Sequence, residues 1–405
     1  MKLLVLTTGI TAYPLKSSRK HRNRIFAVLI LVPLPLQWFT LCIIFGITGI
    51  VANLVKVEGS GINQKDSMGN TPLAWAARGG HGTVVKVLLG RDDVDPNKPG
   101  KAGRTPLLLA ALNGHEGVVK ILLGQDSVDP DKPDQYGRTP LQWAAFGGHE
   151  GVVRLFLRRD DVNPNNPDRW GRTPLRSAAS RGHKGTAKLL LRRDDVNPDK
   201  PDVGGRTPLF WAAYFEREGT TKILLERGDV DPNKSDNGGQ TPLLSAAEKG
   251  REAVVRILLG RDDVDPNKPD NDGQTPLLRA AENGHEAVVR VLLGRDGVDP
   301  NKPDRKGQTP LLRAAYFGRG GMTKILLERG DVDPNKPDND GQTPLWWAAR
   351  NGREAVVRIL LGRDGLDPNK PDNKGQTPLR CAAKNGHLGT MALLQPPTPA
   401  TRCTA

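Results

Sequence analysis

Cysteine is nearly missing from this chain: only Cys42, Cys381 and Cys403 occur in 405 residues. Three widely spaced thiols cannot form a disulfide framework and fit a reducing compartment. Cys403 stands third from the end, where a prenylation signal would need it fourth, so no such anchor is expected. Also lacking are a glycine-rich phosphate loop, a nucleophile elbow and an HExxH pair. The run Asp263-x-Asp265-x-Asn267 opens like a calcium loop, but Lys268 replaces the required glycine and Gln274 the closing glutamate. The expectation is a chain that is not an enzyme, with no cofactor, metal or small-molecule substrate.

Glycine and proline, by contrast, are abundant, at 46 and 33 residues, and they have a period. Thr-Pro-Leu recurs at Thr71, Thr105, Thr139, Thr173, Thr207, Thr241, Thr275, Thr309, Thr343 and Thr377, every step being 34 residues. In the unit Gly273 to Asn301, Thr275 is predicted to cap a helix and Pro276 to fill its first position, where the missing N–H costs nothing. Ala280 and Ala281 allow close helix approach, and Gly284 ends the helix. A second helix follows, whose Val288, Val289, Leu292 and Leu293 share one apolar face. Gly294 stops it, and a loop rich in Asp, Asn and Pro leads to Gly307. Such a unit cannot bury its face alone, so stacking on its neighbours is required. The offsets from Tyr214-Phe215 to Tyr316-Phe317 and from Gly250-Arg251 to Gly352-Arg353 equal three repeats, as block duplication would leave them.

The unit Gly-x-Thr-Pro-Leu-x-x-Ala-Ala-x-x-Gly-His-x-x-Val-Val-x-x-Leu-Leu resembles the ankyrin repeat over residues 49–394. The resemblance implies an all-α ankyrin-repeat solenoid of about ten helix-turn-helix-loop units, plus a degenerate N-terminal half repeat from Gly49. Two departures stand out. After Thr-Pro-Leu the family's histidine is replaced by Ala74, Leu108, Gln142, Arg176, Phe210, Leu244, Leu278, Leu312, Trp346 and Arg380, which removes its bonds between repeats. The period exceeds the family's by one residue, placed in the Asp-Val-Asp-Pro-Asn loop, and in this the chain resembles arrays of filamentous fungi. His81, His115, His149, His183, His285 and His387 recur in the Gly-His turn. Stacked helices lie about 8–10 Å apart, too far for successive histidines to share a zinc whose ligands sit about 2 Å away, so turn capping is expected of them.

The resemblance further implies a protein partner lying along the groove, touched by loop tips and variable positions of the first helix. Those positions hold Trp75, Trp143, Phe146, Trp211, Tyr214, Tyr316, Trp347 and Arg350, with Tyr136 and Trp170 at loop tips. Trp, Tyr and Arg dominate binding hot spots. The alternative for Trp75, Trp143, Trp211 and Trp347 is that they fill space left by the missing histidine.

The net charge of +14 is densest at Lys16, Arg19, Lys20, Arg22 and Arg24, which read as a nuclear-import run or as a cytoplasmic flank. In the repeats Lys and Arg alternate with Asp and Glu, read mostly as solvated surface. Acidic residues in every loop disfavour direct nucleic-acid binding. No charged side chain occurs between residues 25 and 55. The segment 1–48 is therefore a basic run followed by an apolar stretch, 25–48, that either spans a membrane or caps the stack; residues 395–405 form a disordered tail. Asn233-Lys234-Ser235 is a glycosylation sequon that would report a far-side topology. The function expected is a protein-binding scaffold or regulatory adaptor, with a transcriptional coregulator and a membrane-anchored scaffold as alternatives.

Overall fold

The computed structural model describes residues 42–56 and 62–395. The chain divides into two compact units, Met1–Gln135 and Tyr136–Ala405. Among the described residues there are helices and turns but no strand. Ten helix pairs follow one another, from Pro72–Arg78 with Gly82–Leu89 to Pro378–Lys384 with Leu388–Leu394. Within each unit first helices pack on first helices and second on second, as in Pro276–Asn283 against Pro310–Phe317 and Glu286–Leu293 against Gly320–Leu327.

The local chemistry runs as the period predicts. Thr275 is extended (φ −86°, ψ 163°), its hydroxyl accepts the Leu278 amide at 3.2 Å, and Pro276 opens the helix. All ten repeat threonines accept in this way from the residue three ahead, a bond worth about 1 kcal/mol each. Ala280 and Ala281 are fully buried. The second helix buries Val288, Val289 and Leu292, whereas Leu293 is only half-buried, so its apolar face is one residue narrower than the pattern implied.

The histidines do not cap their own turns. Each heads the second helix without a side-chain bond to it. Instead the ring Nε2 donates to a first-helix carbonyl of the preceding repeat: His183 to Phe146 at 3.0 Å, His285 to Glu248 at 2.9 Å, His387 to Arg350 at 2.9 Å. Arg217 and Arg251 replace histidine and make the same bond through Nε, to Ser180 and Tyr214. The glycine two residues past the end of the preceding helix gives the ring room, since a Cβ on Gly250 would lie 2.6 Å from His285 Nδ1. Two of the residues standing where the family histidine is missing also bridge: Gln142 Nε2 donates to the Arg172 carbonyl at 2.7 Å and Trp346 Nε1 to that of Gln376 at 3.1 Å. The other links between repeats are therefore not lost with that histidine.

Much of the loop charge is structural rather than merely solvated. Arg261 forks onto Asp263 at 2.8 and 2.6 Å while its Nη1 donates to the Leu225 carbonyl at 2.6 Å. Arg193, Arg227 and Arg329 repeat this arrangement. The hydrogen-bonded Arg261 guanidinium holds the Asp263 carboxyl below its ordinary range. Asn267 forms the rung of a ladder: its Nδ2 donates to the Gly297 carbonyl and its Oδ1 accepts the Asp299 amide, at 2.6 and 2.9 Å. Asn165, Asn233, Asn301 and Asn335 do likewise. The sequon's Asn233 thus has its amide nitrogen engaged in a rung, at 2.6 Å from the Asp263 carbonyl.

Where the sequence departs from its own consensus the defect is visible. At the ladder position of one repeat stands Asp199, whose Oδ2 accepts the Asp231 amide at 2.7 Å while Oδ1 is buried without a partner. Burial pushes its carboxyl up. Asp199→Asn should supply the missing donor, remove a buried charge and raise stability by about 1 kcal/mol. A folded pKa that is raised means wild-type stability declines as pH rises through it. The gain measured by urea unfolding should therefore be full at neutral pH and shrink as acid protonates Asp199; a gain independent of pH would contradict this account. Likewise Thr220 occupies the place held elsewhere by Val152, Val254, Val288 and Val356, and its hydroxyl is buried and unpartnered. Thr220→Val should raise the urea midpoint by about 1 kcal/mol of stability with an unchanged slope, and an unaltered midpoint would show the hydroxyl to be satisfied in solution.

At the N-terminal side, residues 42–44 are helical, Gly46 turns the chain at φ +66°, and the helix Thr48–Leu54 packs against Gly82–Leu89. Ile43 is buried, and His81 Nε2 donates to the Ile44 carbonyl at 2.8 Å. No helix among the described residues is long and apolar enough to cross a membrane. Residues 1–41, which carry the basic run and most of the apolar stretch, and 396–405 of the tail lie outside the described residues.

Candidate functional site

In several repeats one aspartate fastens the loop tip to the first helix. Asp202 Oδ1 accepts the Gly204 and Arg206 amides at 2.9 and 3.1 Å, closing the loop, and Oδ2 accepts Trp211 Nε1 at 2.8 Å. Asp338 holds Trp347 in the same way at 3.0 Å, and in the N-terminal unit Asp66 holds Trp75 at 2.7 Å. Where the tryptophan is replaced by Arg279 its guanidinium reaches Asp270 at 3.1 Å, and where it is replaced by Ser177 it is Arg172 that reaches Asp168, at 2.6 Å. A half-buried indole bonded at its edge leaves part of its ring outward.

In the C-terminal unit the aromatic side chains gather into two clusters. The first runs from Tyr136 to Phe215. Tyr136 stacks on Trp170 at 5.9 Å, and Trp143 meets Phe146 edge-on at 5.7 Å. Trp211 stacks on Phe215 at 5.5 Å and meets Tyr214 edge-on at 5.6 Å. Cations lie over these rings: Arg138 over Trp143 at 4.1 Å, Arg172 over Trp170 at 4.4 Å, Arg176 over Trp211 at 4.4 Å and Arg181 over Phe146 at 4.1 Å. Burial pushes the Arg176 guanidinium down to about 10, with Asp202 opposing the change. The second cluster joins Tyr316 to Trp347 at 4.9 Å, with Arg350 over Trp347 at 5.0 Å. Beside it Trp346, Arg350, Lys374, Lys384 and Cys381 line a polar cavity of about 210 Å³. Burial pushes the Cys381 thiol up, so it is held in its inert protonated form.

All ten side chains singled out in the sequence are thus placed. Trp75 stands in the N-terminal unit with Arg78 beside it at 5.1 Å. Tyr136, Trp143, Phe146, Trp170, Trp211 and Tyr214 share the first cluster of the C-terminal unit; Tyr316, Trp347 and Arg350 share the second. In the C-terminal unit the large apolar rings that stand exposed are Trp170 at 44 %, Phe215 at 40 %, Phe317 at 37 % and Phe146 at 36 %. Phe215 and Phe317 were not singled out, although each directly follows a tyrosine that was. Also missed was the residue before each cap threonine of the C-terminal unit. It is arginine at 138, 172 and 206, where it covers a ring, and glutamine at 240, 274, 308, 342 and 376.

The family model for ankyrin repeats in sets of three copies matches overlapping stretches of the chain, the first at residues 39–134 and the last at 331–400. No curated protein sequence matches it. With helix pairs, caps and turns in the same register across those stretches, the chain belongs to the ankyrin-repeat family.

Proposed function

We propose that this protein is a non-enzymatic adaptor that binds a segment of another protein along its loop tips and first helices. The observation that carries the reading is the set of rings left partly outward on an otherwise bonded frame: Trp170, Phe215, Phe317 and Phe146. Aromatic side chains already ordered in the free protein lose little entropy on binding, which is how they become anchors. The same reading starts the array ahead of Gly49, in support of which the helical residues 42–44, the Gly46 turn and the helix Thr48–Leu54 repeat the pattern of the later units.

The test is selection of binders to the full chain from an unbiased peptide display, followed by mapping. Trp170→Ala and Phe215→Ala should abolish most selected binding, while Lys188→Ala and Lys222→Ala on second helices should leave it intact. Binders that ignore the first pair and respond to the second would move the site to the opposite face and end this reading.

A further inference from the structure

The charge on the loop tips and first helices of the C-terminal unit changes sign along the chain. Across 136–149, where that repeat enters the C-terminal unit just past its own loop acid Asp134, and across 168–183 and 202–217 there are seven arginines, Arg138, Arg169, Arg172, Arg176, Arg181, Arg206 and Arg217, against Asp168, Asp202 and Glu216. Across the next two repeats, 236–251 and 270–285, the acids Asp236, Glu248, Asp270, Asp272 and Glu282 outnumber Lys249, Arg251 and Arg279. The acids of the first block are already engaged, Asp168 by Arg172 at 2.6 Å, Asp202 by the Trp211 indole and Glu216 by Arg251 at 3.1 Å. Arg169 and Arg181 are exposed, and Arg181 has a phenyl ring beneath it.

We propose that this block of three repeats binds an extended peptide segment rich in carboxylates, its acids received by the arginines and its apolar residues by the rims of Trp170 and Phe215. The inference rests on the adaptor reading and specifies the partner's chemistry. An exposed guanidinium over a ring, as Arg181 is over Phe146, keeps N–H edges for a carboxylate, which it can grip in two bonds. The same geometry disfavours single-stranded nucleic acid, because a base needs an open ring face to stack on. Here Trp143, Trp170 and Trp211 each carry a guanidinium within 4.1–4.4 Å of the ring centre, and Trp211 and Trp170 have another ring stacked on them as well. The acid-rich repeats that follow bound the site on that side, since a carboxylate peptide running on past Glu248 and Glu282 would be repelled. Three repeats at about 10 Å each accommodate about nine or ten extended residues.

The experiment is fluorescence anisotropy on the full chain with three labelled probes. These are a peptide of about ten residues alternating Glu or Asp with Phe and Leu, its counterpart with every acid changed to the amide, and oligo-dT of matching length. The acidic peptide should bind with an affinity that falls as salt is added, and the amide peptide about tenfold or more weaker. Arg169→Gln with Arg181→Gln should cost the acidic peptide about tenfold, with an unchanged melting temperature, while Lys188→Gln with Arg192→Gln on the second-helix side should cost nothing. Equal binding of the two peptides overturns the proposal yet leaves the adaptor reading standing if Trp170→Ala abolishes both. Tighter binding of oligo-dT assigns the block to nucleic acid instead. Equal loss in the two arginine and lysine variants reduces the effect to diffuse charge, and indifference of both peptides to Trp170→Ala removes the adaptor reading with it.

Discussion

Asp202→Ala should cost about 3 kcal/mol of stability and loosen the aromatic cluster at the same time. The side chain is almost wholly buried and accepts from three donors, the Gly204 and Arg206 amides and the Trp211 indole. Alanine leaves all three without a protein partner, and each orphaned donor that water cannot reach costs about 1–3 kcal/mol. Water will reach the loop amides in part, which keeps the expected sum near the lower end. Asp202→Asn separates the two halves of the role. An amide oxygen can still take the two loop N–H groups, but its NH₂ then faces the indole N–H, donor against donor. Urea unfolding should place the asparagine variant between wild type and alanine. Quenching of the emission that Trp211→Phe removes should rise in both variants. An asparagine variant as stable as wild type would show the indole bond to be dispensable, and an alanine variant as stable as wild type would dispose of the aspartate as the fastening between loop and helix.

What the sequence discloses here depends on how far away each side chain's partner stands. Thr275 bonds three residues on, Gly284 ends its own helix, and Ala280 and Ala281 declare their smallness directly, so a single repeat suffices to read them. Asn267 looks like an ordinary turn residue. Its partners, the Gly297 carbonyl and the Asp299 amide, lie 30 and 32 residues ahead, and become visible only when one repeat is set beside the next at a known height. The histidines mislead for the same reason: the first-helix carbonyl that His183, His285 or His387 reaches lies 37 residues back, while the nearer helix end suggests a cap.

The aromatic positions were legible as positions and not as bonds. Trp211 and Trp347 vary within a constant frame, which marks them, but the aspartate nine residues earlier that holds each indole looks like one more loop acid. With that bond in view, filling space and facing outward cease to be competing accounts of the same indole: its edge completes the frame and the remainder of the ring is offered to a partner. The arginine before the cap threonine was equally visible as a letter in Gly-Arg-Thr-Pro-Leu. Its place over a ring requires knowing that the loop folds back across the helix it precedes, which the Asp202 bonds bring about.

Phe156→Ala should be the most damaging single change, at about 3–5 kcal/mol. Its ring is fully buried in the second helix Glu150–Leu157, at a place where the other complete repeats carry leucine, as at Leu190, Leu224, Leu258 and Leu292. The array thereby supplies its own control. Phe156→Leu removes volume that the neighbouring repeats show to be unnecessary for stacking and should cost about 1 kcal/mol, whereas alanine leaves a cavity that a helix tied at its last carbonyl, Leu157, to Arg193 of the next repeat does not collapse to fill. Because each repeat touches only its neighbours, the loss should be local before it is global. Hydrogen exchange on the alanine variant should show protection falling in the helices from Pro140 to Leu190, with Pro276 to Leu361 close to wild type. A uniform fall over both stretches would mean that the repeats of the C-terminal unit unfold as one cooperative body, and the nearest-neighbour account of its stability would have to be abandoned.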